Sequence, residues 1–547
     1  MKKGRVKIFL LFLFSVLFVY GLSCFSVYES YDVFFPTYFS GALSEGVPMN
    51  IFHFIAHFIL AEIYMKFYSV LPGIPWYEIF LFFYIAVSLF TIIFILFKNK
   101  VQSSKKAKIL IVLLSFILST EFILCFQFTR VAFALGIAST LAMLLGGKDN
   151  KIMGWWSCVL FIFCVLTRHE VGVFIFLIQW LGALLVSNGT YSKVALWFNT
   201  CALLFVGGYI FYDQLTTTDF PKQFEPELGY QLLDRGNIVP LSNMTNAVDS
   251  AKYIAAINMI ADQDYITIPF LRGLVATNAF VGVNKKLIQK AVETMYDMLD
   301  HSFGLLIIYF GLLFLAMRQS LAGGKVALFK LLLFNVSFWL IIITVTYLIY
   351  LQYYISDMML VLMCFILLSK IDFDNLRTMY ITAGFSCIII LSGIVVLYHK
   401  QLEYRQHLTN NLEAHANFRD ELKRKYAGKI LVPSNEQKKL IWFSLRPYQM
   451  HDFSVFSRFY LFDADLTYLE PPYNAYLRKE CKCNVRGYTD FMDFLDSKKD
   501  SVRIISSPER IEVIKYYCRV VRGKNYDIIP IDSLSIDGNS ATVFTFK

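Results

Sequence analysis

Eleven apolar stretches, separated by short polar turns, run through this chain, and lysines collect at every second turn between them. A water-soluble core cannot absorb so much apolar helix. Of 547 residues, 57% are hydrophobic and 53 are Phe, which is what repeated spans of about 20 apolar residues produce. The chain therefore reads as an integral membrane protein. Its formal charge of +10 does not call for a nucleic acid partner, because much of the excess lies in short inter-span loops, where Lys and Arg set topology. Cys24, Cys125, Cys158, Cys164, Cys201, Cys364 and Cys387 fall inside apolar runs, where a thiol is a small hydrophobe.

The amino terminus carries Lys2, Lys3, Arg5 and Lys7 before an apolar run to about Cys24, with no small-residue cleavage site, which places it in the cytoplasm. The next apolar piece, 51–72, contains His53, His57, Glu62 and Lys66. If it crossed, Lys98, Lys100, Lys105, Lys106 and Lys108 would end outside, against the positive-inside rule. A charge at the centre of a span also costs about 2.5–3.5 kcal/mol on insertion scales. The piece is therefore expected to lie at the interface or re-enter. The remaining spans fall at 78–97, 109–126, 131–147, 152–167, 171–187, 194–212, 303–317, 326–348, 354–369 and 379–398. With that parity the lysine-bearing turns all face the cytoplasm. The opposite side receives loop 27–77, the turns near Arg130, Arg168 and Gln352, the loop 213–302 and the tail.

The tail, 399–547, is rich in charge and has no spanning run. A helix is expected to continue out of the last span over 401–425, followed by strands at 429–433, 502–505 and 541–546, with a helix opening at Ser507-Pro508-Glu509. The expected fold class is thus an α-helical polytopic membrane protein of about eleven transmembrane helices, residues 1–398, with a small extracytoplasmic α/β domain, residues 399–547. Cys481, Cys483 and Cys518 are the extramembrane cysteines; an outside location permits one disulfide, with the pairing open.

Transfer of a sugar from a lipid-linked donor needs a carboxylate to take a proton from the acceptor hydroxyl and cations to hold the departing phosphate. Asp32, beside Tyr28, Glu29 and Tyr31 just beyond the first span, meets the first need, with Glu29 as a second catalytic candidate. Arg130 and Arg168 meet the other: each stands in a short turn against the positive-inside preference. The bland readings are a solvated loop acid and arginines snorkelling to lipid headgroups. His169 and Glu170 follow Arg168 directly; the imidazole could orient a phosphate or relay a proton, and an Arg/Glu pair at headgroup level is the structural alternative. Asp357, with Tyr353 and Tyr354, sits where one span turns into the next, either lining the same cavity or closing an aromatic belt. Glu121 is an intramembrane acid, a functional candidate by position. His53 and His57 share a helical face, but no third metal ligand accompanies them. Asp213, Asp219, Glu225 and Glu227 read as solvated.

Tyr31-Asp32, Gly46-Val-Pro48, the stretch 51–72 and Leu71-Pro-Gly-Ile-Pro-Trp-Tyr77 together resemble the first external loop of the GT-C superfamily of polytopic glycosyltransferases. The resemblance implies a polyprenyl-phosphate-linked sugar donor, Asp32 as the base, and Arg130 and Arg168 on the lipid phosphate, in a groove open to the membrane. It implies an acceptor that is a glycan, lipid or protein, in the service of cell-envelope or polysaccharide biosynthesis. The lysine-rich loops, the absence of a cleaved signal and the Phe/Ile-rich spans suit a bacterial inner membrane. The loop departs from the family in lacking an Asp-x-Asp or Asp-Glu pair, so a divalent metal cofactor is left open and no metal ligand is assigned.

Two other classes compete. Gln127-Phe-Thr-Arg130 followed by Arg168-His169 is similar to the pattern of Wzy- or EpsG-type polysaccharide polymerases. A transporter or flippase would instead show matching halves and midplane charges, whereas the charges here concentrate at one boundary.

Overall fold

The computed structural model describes residues 2–28, 58–71, 74–99, 104–146, 150–185, 190–216, 238–258, 260, 262–274, 292–293, 296, 300, 302–322, 324–348, 353–373, 380–434, 437, 488–536 and 538–547. Among the described residues each of the eleven apolar stretches carries a helix. In chain order come α1 (Lys2–Ser23), the short α2 (Phe58–Val70), α3 (Trp76–Asn99), α4 (Lys105–Ile123), α5 (Phe128–Leu141), α6 (Lys151–Thr167), α7 (His169–Leu185) and α8 (Thr190–Thr216). After α9 (Ala247–Ile257) and α10 (Ile268–Leu274) follow α11 (Phe303–Ala322), α12 (Lys325–Leu348), α13 (Tyr353–Lys370) and α14 (Tyr380–Lys425). Among the described residues six of these helices are long and apolar enough to span a bilayer, and α6 and α7 are shorter apolar helices. The protein is an integral membrane protein.

Taken in chain order, the ends of the long apolar helices are of two kinds. Lys98, Lys105, Lys106, Lys151, Lys193, Lys325 and Lys370 mark one, the lysine end. The other is the end at which α5 begins. Helix α5 is the axis of the bundle: all fourteen of its residues are buried, a short π-helical turn at Ala142–Gly146 extends it, and α3, α6, α7 and α13 pack around it. Helices α1 and α12 are peripheral; Phe9, Leu10, Phe14, Phe329 and Val336 point away from the protein, as lipid-facing side chains do. Within the bundle, Gln179 of α7 donates to Ser139 and Thr140 of α5, and Asn199 of α8 donates to Gln179 at 2.7 Å. Polar ties of this kind hold helices together where burial of apolar surface gives no drive.

Helix α2 has 13 residues, about 20 Å of helix against a hydrocarbon thickness of about 30 Å. Leu60, Tyr64 and Tyr68, four apart, form its buried stripe, while Glu62 and Lys66 are exposed. Tyr68 ties it to α3, accepting from the Tyr77 amide at 3.2 Å and donating to the buried Glu78 at 3.5 Å. His53 and His57 lie outside the described residues.

Close approach of α11 and α14 depends on glycine. A Cβ on Gly304 would stand 2.6 Å from the backbone nitrogen of Leu397, and one on Gly393 would stand 2.9 Å from the Gly304 carbonyl oxygen, so these two backbones touch. Helix α14 then continues for 46 residues without interruption past 398 and 399, delivering the chain to β3 (Ile430–Pro433).

Beyond it lie α15 (Tyr488–Ser497), β4 (Val502–Ser506), α16 (Pro508–Arg522), β5 (Ile528–Ile536) and β6 (Asn539–Phe546). The sheet order is β3-β4-β6-β5, with β3 parallel to β4 and the other pairs antiparallel. Helix α16 starts as its sequence asks: Ser507 accepts from the Arg510 amide, Pro508 occupies the first turn, and Gly523 ends the helix in the left-handed region at φ 65°. Cys518 is buried on α16; Cys481 and Cys483 lie outside the described residues.

The segment 238–274 docks on this sheet unit through α16. Arg510 donates to the Asn258 side chain at 2.9 Å and to its carbonyl. Asp262, wholly buried, receives Arg522 through Nε at 3.1 Å and Nη2 at 2.8 Å and the Tyr517 hydroxyl at 2.9 Å. Burial pushes the Asp262 carboxyl upward, and Arg522 and Tyr517 pull it part of the way back. Replacing Arg522 with Met is expected to cost about 2–3 kcal/mol, since the buried carboxylate loses its cation and the two hydrogen bonds that the guanidinium gives it. Loss of the cation lifts the Asp262 carboxyl further, so the native state holds a proton that the unfolded chain has lost over a wider range. Stability then falls as pH rises through that range. Thermal unfolding should show a small deficit in acid that grows toward neutrality; a pH-independent deficit would show that the lost guanidinium acted by packing alone.

Candidate functional site

The first turn of α5 gathers the acids and cations. Helix α4 ends at Ile123, the chain runs through the two-residue strand β2 (Cys125–Phe126), and Gln127 in extended conformation turns it back into α5. That tight reversal brings Glu121, in the last turn of α4, opposite Arg130. Arg130 is the third residue of α5 and so belongs to the helix itself, not to the turn before it. Its Nη1 donates to Glu121 Oε2 at 3.0 Å and to the Glu121 carbonyl at 3.3 Å. Its Nη2 stands 3.8 Å from Asp357 Oδ2, in the first turns of α13. Asp357 in turn accepts from the hydroxyl of Ser302, which precedes α11. Glu121 Oε1 accepts from Gln401 of α14 at 2.6 Å.

Gln401, Glu121, Arg130, Asp357 and Ser302 thus form one line of side chains drawn from five parts of the chain. Arg130, Glu121 and Asp357 are 2%, 7% and 7% exposed. One guanidinium faces two carboxylates there. In a medium of low polarity that arrangement holds the cation firmly and leaves it little charge to offer a ligand.

Arg168 has a different setting. It caps the end of α6 in extended conformation. Its Nη1 donates to Thr129 at 3.1 Å, and its guanidinium lies over the Phe128 ring at 4.9 Å. Its Nε is 3.3 Å from Glu170 Oε2, and His169 Nδ1 is 3.6 Å from the same oxygen. Its side chain is 24% exposed, that of His169 40% and that of Glu170 47%. Two arginines are therefore placed by successive residues of one helix turn: Arg130 buried and paired, Arg168 held from one side and open on another.

The first loop leaves from the same place. Strand β1 (Val27–Tyr28) lies parallel to β2, with Val27 opposite Cys125 and Tyr28 opposite Phe126, and the Ser26 hydroxyl donates to the Ile123 carbonyl. Glu29 and Asp32 lie outside the described residues. Tyr353 is the first residue of α13, and its side chain is likewise outside them, as are Asp219, Glu225 and Glu227. Among the described residues no three of His, Cys, Asp and Glu gather as a metal-binding set.

Sequence reasoning named Glu121, Arg130, Arg168, His169, Glu170 and Asp357 and missed Ser302, Thr129, Gln401 and Glu78. Glu78 alone had a signal: an acid at the head of an apolar run, buried against Tyr68.

No protein-family model and no curated protein matches this chain. Two solved structures are similar in chain course over nearly the whole length. ArnT from Cupriavidus metallidurans in the apo state is 13% identical at a TM-score of 0.39, over 99% of this chain and 98% of that one. The same protein bound to undecaprenyl phosphate is 12% identical at a TM-score of 0.38, over 100% and 98%.

Proposed function

We propose that this protein is a membrane glycosyltransferase of GT-C type, moving a sugar from a polyprenyl-phosphate donor to an acceptor on the non-cytoplasmic side, with residues 399–547 as a soluble unit on that side. The observation that supports it is the convergence at one end of the bundle of Glu121, Arg130, Arg168 and Asp357, with the strand that leads to Asp32 paired alongside. Asp32 is four residues beyond Tyr28, which limits the connecting chain to about 14 Å.

In this reading Asp32 takes the acceptor hydroxyl's proton as the new bond to the anomeric carbon forms. The bond from that carbon to the phosphate oxygen breaks, and Arg168 receives the charge left on the lipid phosphate. His169, sharing Glu170 with Arg168, orients the phosphate. Arg130 serves the site by holding Glu121 and Asp357 in place. Glu29 and Tyr353 are assigned to the cavity on their sequence positions alone. The N-terminus and the lysine end face the cytoplasm.

The test is transfer in proteoliposomes from a polyprenyl-phosphate-linked sugar. Single-sugar products support the proposal. Ladders of product would indicate a polymerase, and movement of the lipid without a new bond would indicate a flippase. Replacing Arg168 with Met is expected to weaken binding of undecaprenyl phosphate about 10- to 100-fold, the worth of one or two charge-assisted hydrogen bonds, with little change in melting temperature. Unaltered affinity would take Arg168 out of the phosphate site.

A further inference from the structure

We infer that Gln401 is a positioning residue, through which the helix that carries the C-terminal sheet fixes the Glu121–Arg130 pair. The inference deepens the reading above and rests on it for the consequence in ligand binding, while its geometric content stands separately.

Gln401 is half-buried on α14, and its Nε2 makes a fork to the end of α4, donating to Thr120 Oγ1 at 3.1 Å and to Glu121 Oε1 at 2.6 Å. The two oxygens of Glu121 are thereby given separate work: Oε1 takes the amide and Oε2 takes Arg130. Without the amide, the carboxylate is free to rotate and present both oxygens to Arg130, and the guanidinium would be drawn away from Asp357, already at 3.8 Å. A neutral donor suits this task. An ammonium in its place would compete with Arg130 for Glu121, and an apolar side chain would leave Oε1 buried without a donor.

The helix that holds Gln401 is anchored at both ends of its outward half. One turn below Gln401, Leu397 meets Gly304 at backbone contact. At the far end, Lys425 and the adjoining Tyr426 both bind Asp532 of β5, whose carboxyl those contacts hold below the usual range. Between these points α14 is continuous, so the seat of the sheet and the orientation of Glu121 are joined by one rigid element.

Two variants test this, read by hydrogen–deuterium exchange over residues 120–130 after correction for intrinsic pH dependence. Gln401→Leu should raise exchange there about tenfold at every pH while leaving residues 502–546 unchanged. Gln401→Glu should come closest to the native protein at about pH 4, where much of the introduced carboxyl is protonated and donates. At about pH 8 it should lose that protection as two carboxylates repel. The other titratable groups nearby are Arg130 and Asp357 in the line and His399, Lys400 and Glu403 on α14; all are retained in both variants, and the native protein provides the baseline for them. A Gln401→Glu profile parallel to the native one, or unchanged exchange in Gln401→Leu, overturns the inference. Undecaprenyl phosphate affinity, measured alongside, should fall about tenfold in Gln401→Leu. If the native protein binds no such lipid, the glycosyltransferase reading fails and the exchange profile still decides the role of Gln401. If it binds equally in native and Leu forms, Gln401 does not position the site.

Discussion

Asp32→Asn is expected to slow sugar transfer by about 10²- to 10⁴-fold, the usual worth of a positioned general base, which is about 3–5 kcal/mol of activation free energy. Asparagine keeps the size and hydrogen-bonding reach of the side chain but has no basic oxygen to accept the acceptor's proton. Binding of the lipid phosphate, which the proposal gives to Arg168, should therefore survive, and so should the melting temperature. The loss belongs in kcat. Initial rates in proteoliposomes, with lipid binding measured on the same preparation, separate the two. Transfer within about twofold of native would remove Asp32 from the chemistry and reopen Glu29 as the base.

The second large effect is on stability. Arg130→Met should destabilise the protein by about 3–5 kcal/mol, because it strips the cation from between two buried carboxylates. Glu121 and Asp357 would then both lose the guanidinium that stands within 4 Å of each. Arg130→Lys should recover only part of the loss: an ammonium cannot bond Glu121 and approach Asp357 with separate nitrogens as the guanidinium does. Combining Arg130→Met with Glu121→Gln and Asp357→Asn should restore much of the melting temperature, since the cost is that of unpaired charge. A single Met variant that melts with the native protein in detergent would mean that water or another cation reaches this line.

Much of the architecture was legible because lipid imposes simple conditions on a chain. Spans show as apolar runs, and lysine placement orders their ends; both are local properties. The candidate arginines stood out for the same reason, as charges on the side where positive residues are disfavoured. Partnerships were not legible. Glu121 and Gln401 lie 280 residues apart, and a glutamine in the charged run after the last span has nothing to mark it. Ser302 and Thr129 are ordinary helix-start residues until the fold sets Asp357 and Arg168 beside them. Sequence reasoning did not single out Asp262, which is wholly buried on α16. Its burial depends on the 517–522 face of a helix far along the chain, and no local pattern announces that.

The uninterrupted course of α14 has a mechanical consequence. Its 46 residues make a rod about 70 Å long, gripped within the bundle at Leu397 and Gln401 and at its tip by Asp532. Adding one residue between those grips would swing the tip through about 100° and advance it by about 1.5 Å. The angular phase of the sheet about the rod is therefore set by the number of residues in between, and homologous chains of this build can lengthen or shorten that stretch freely only in steps close to whole turns.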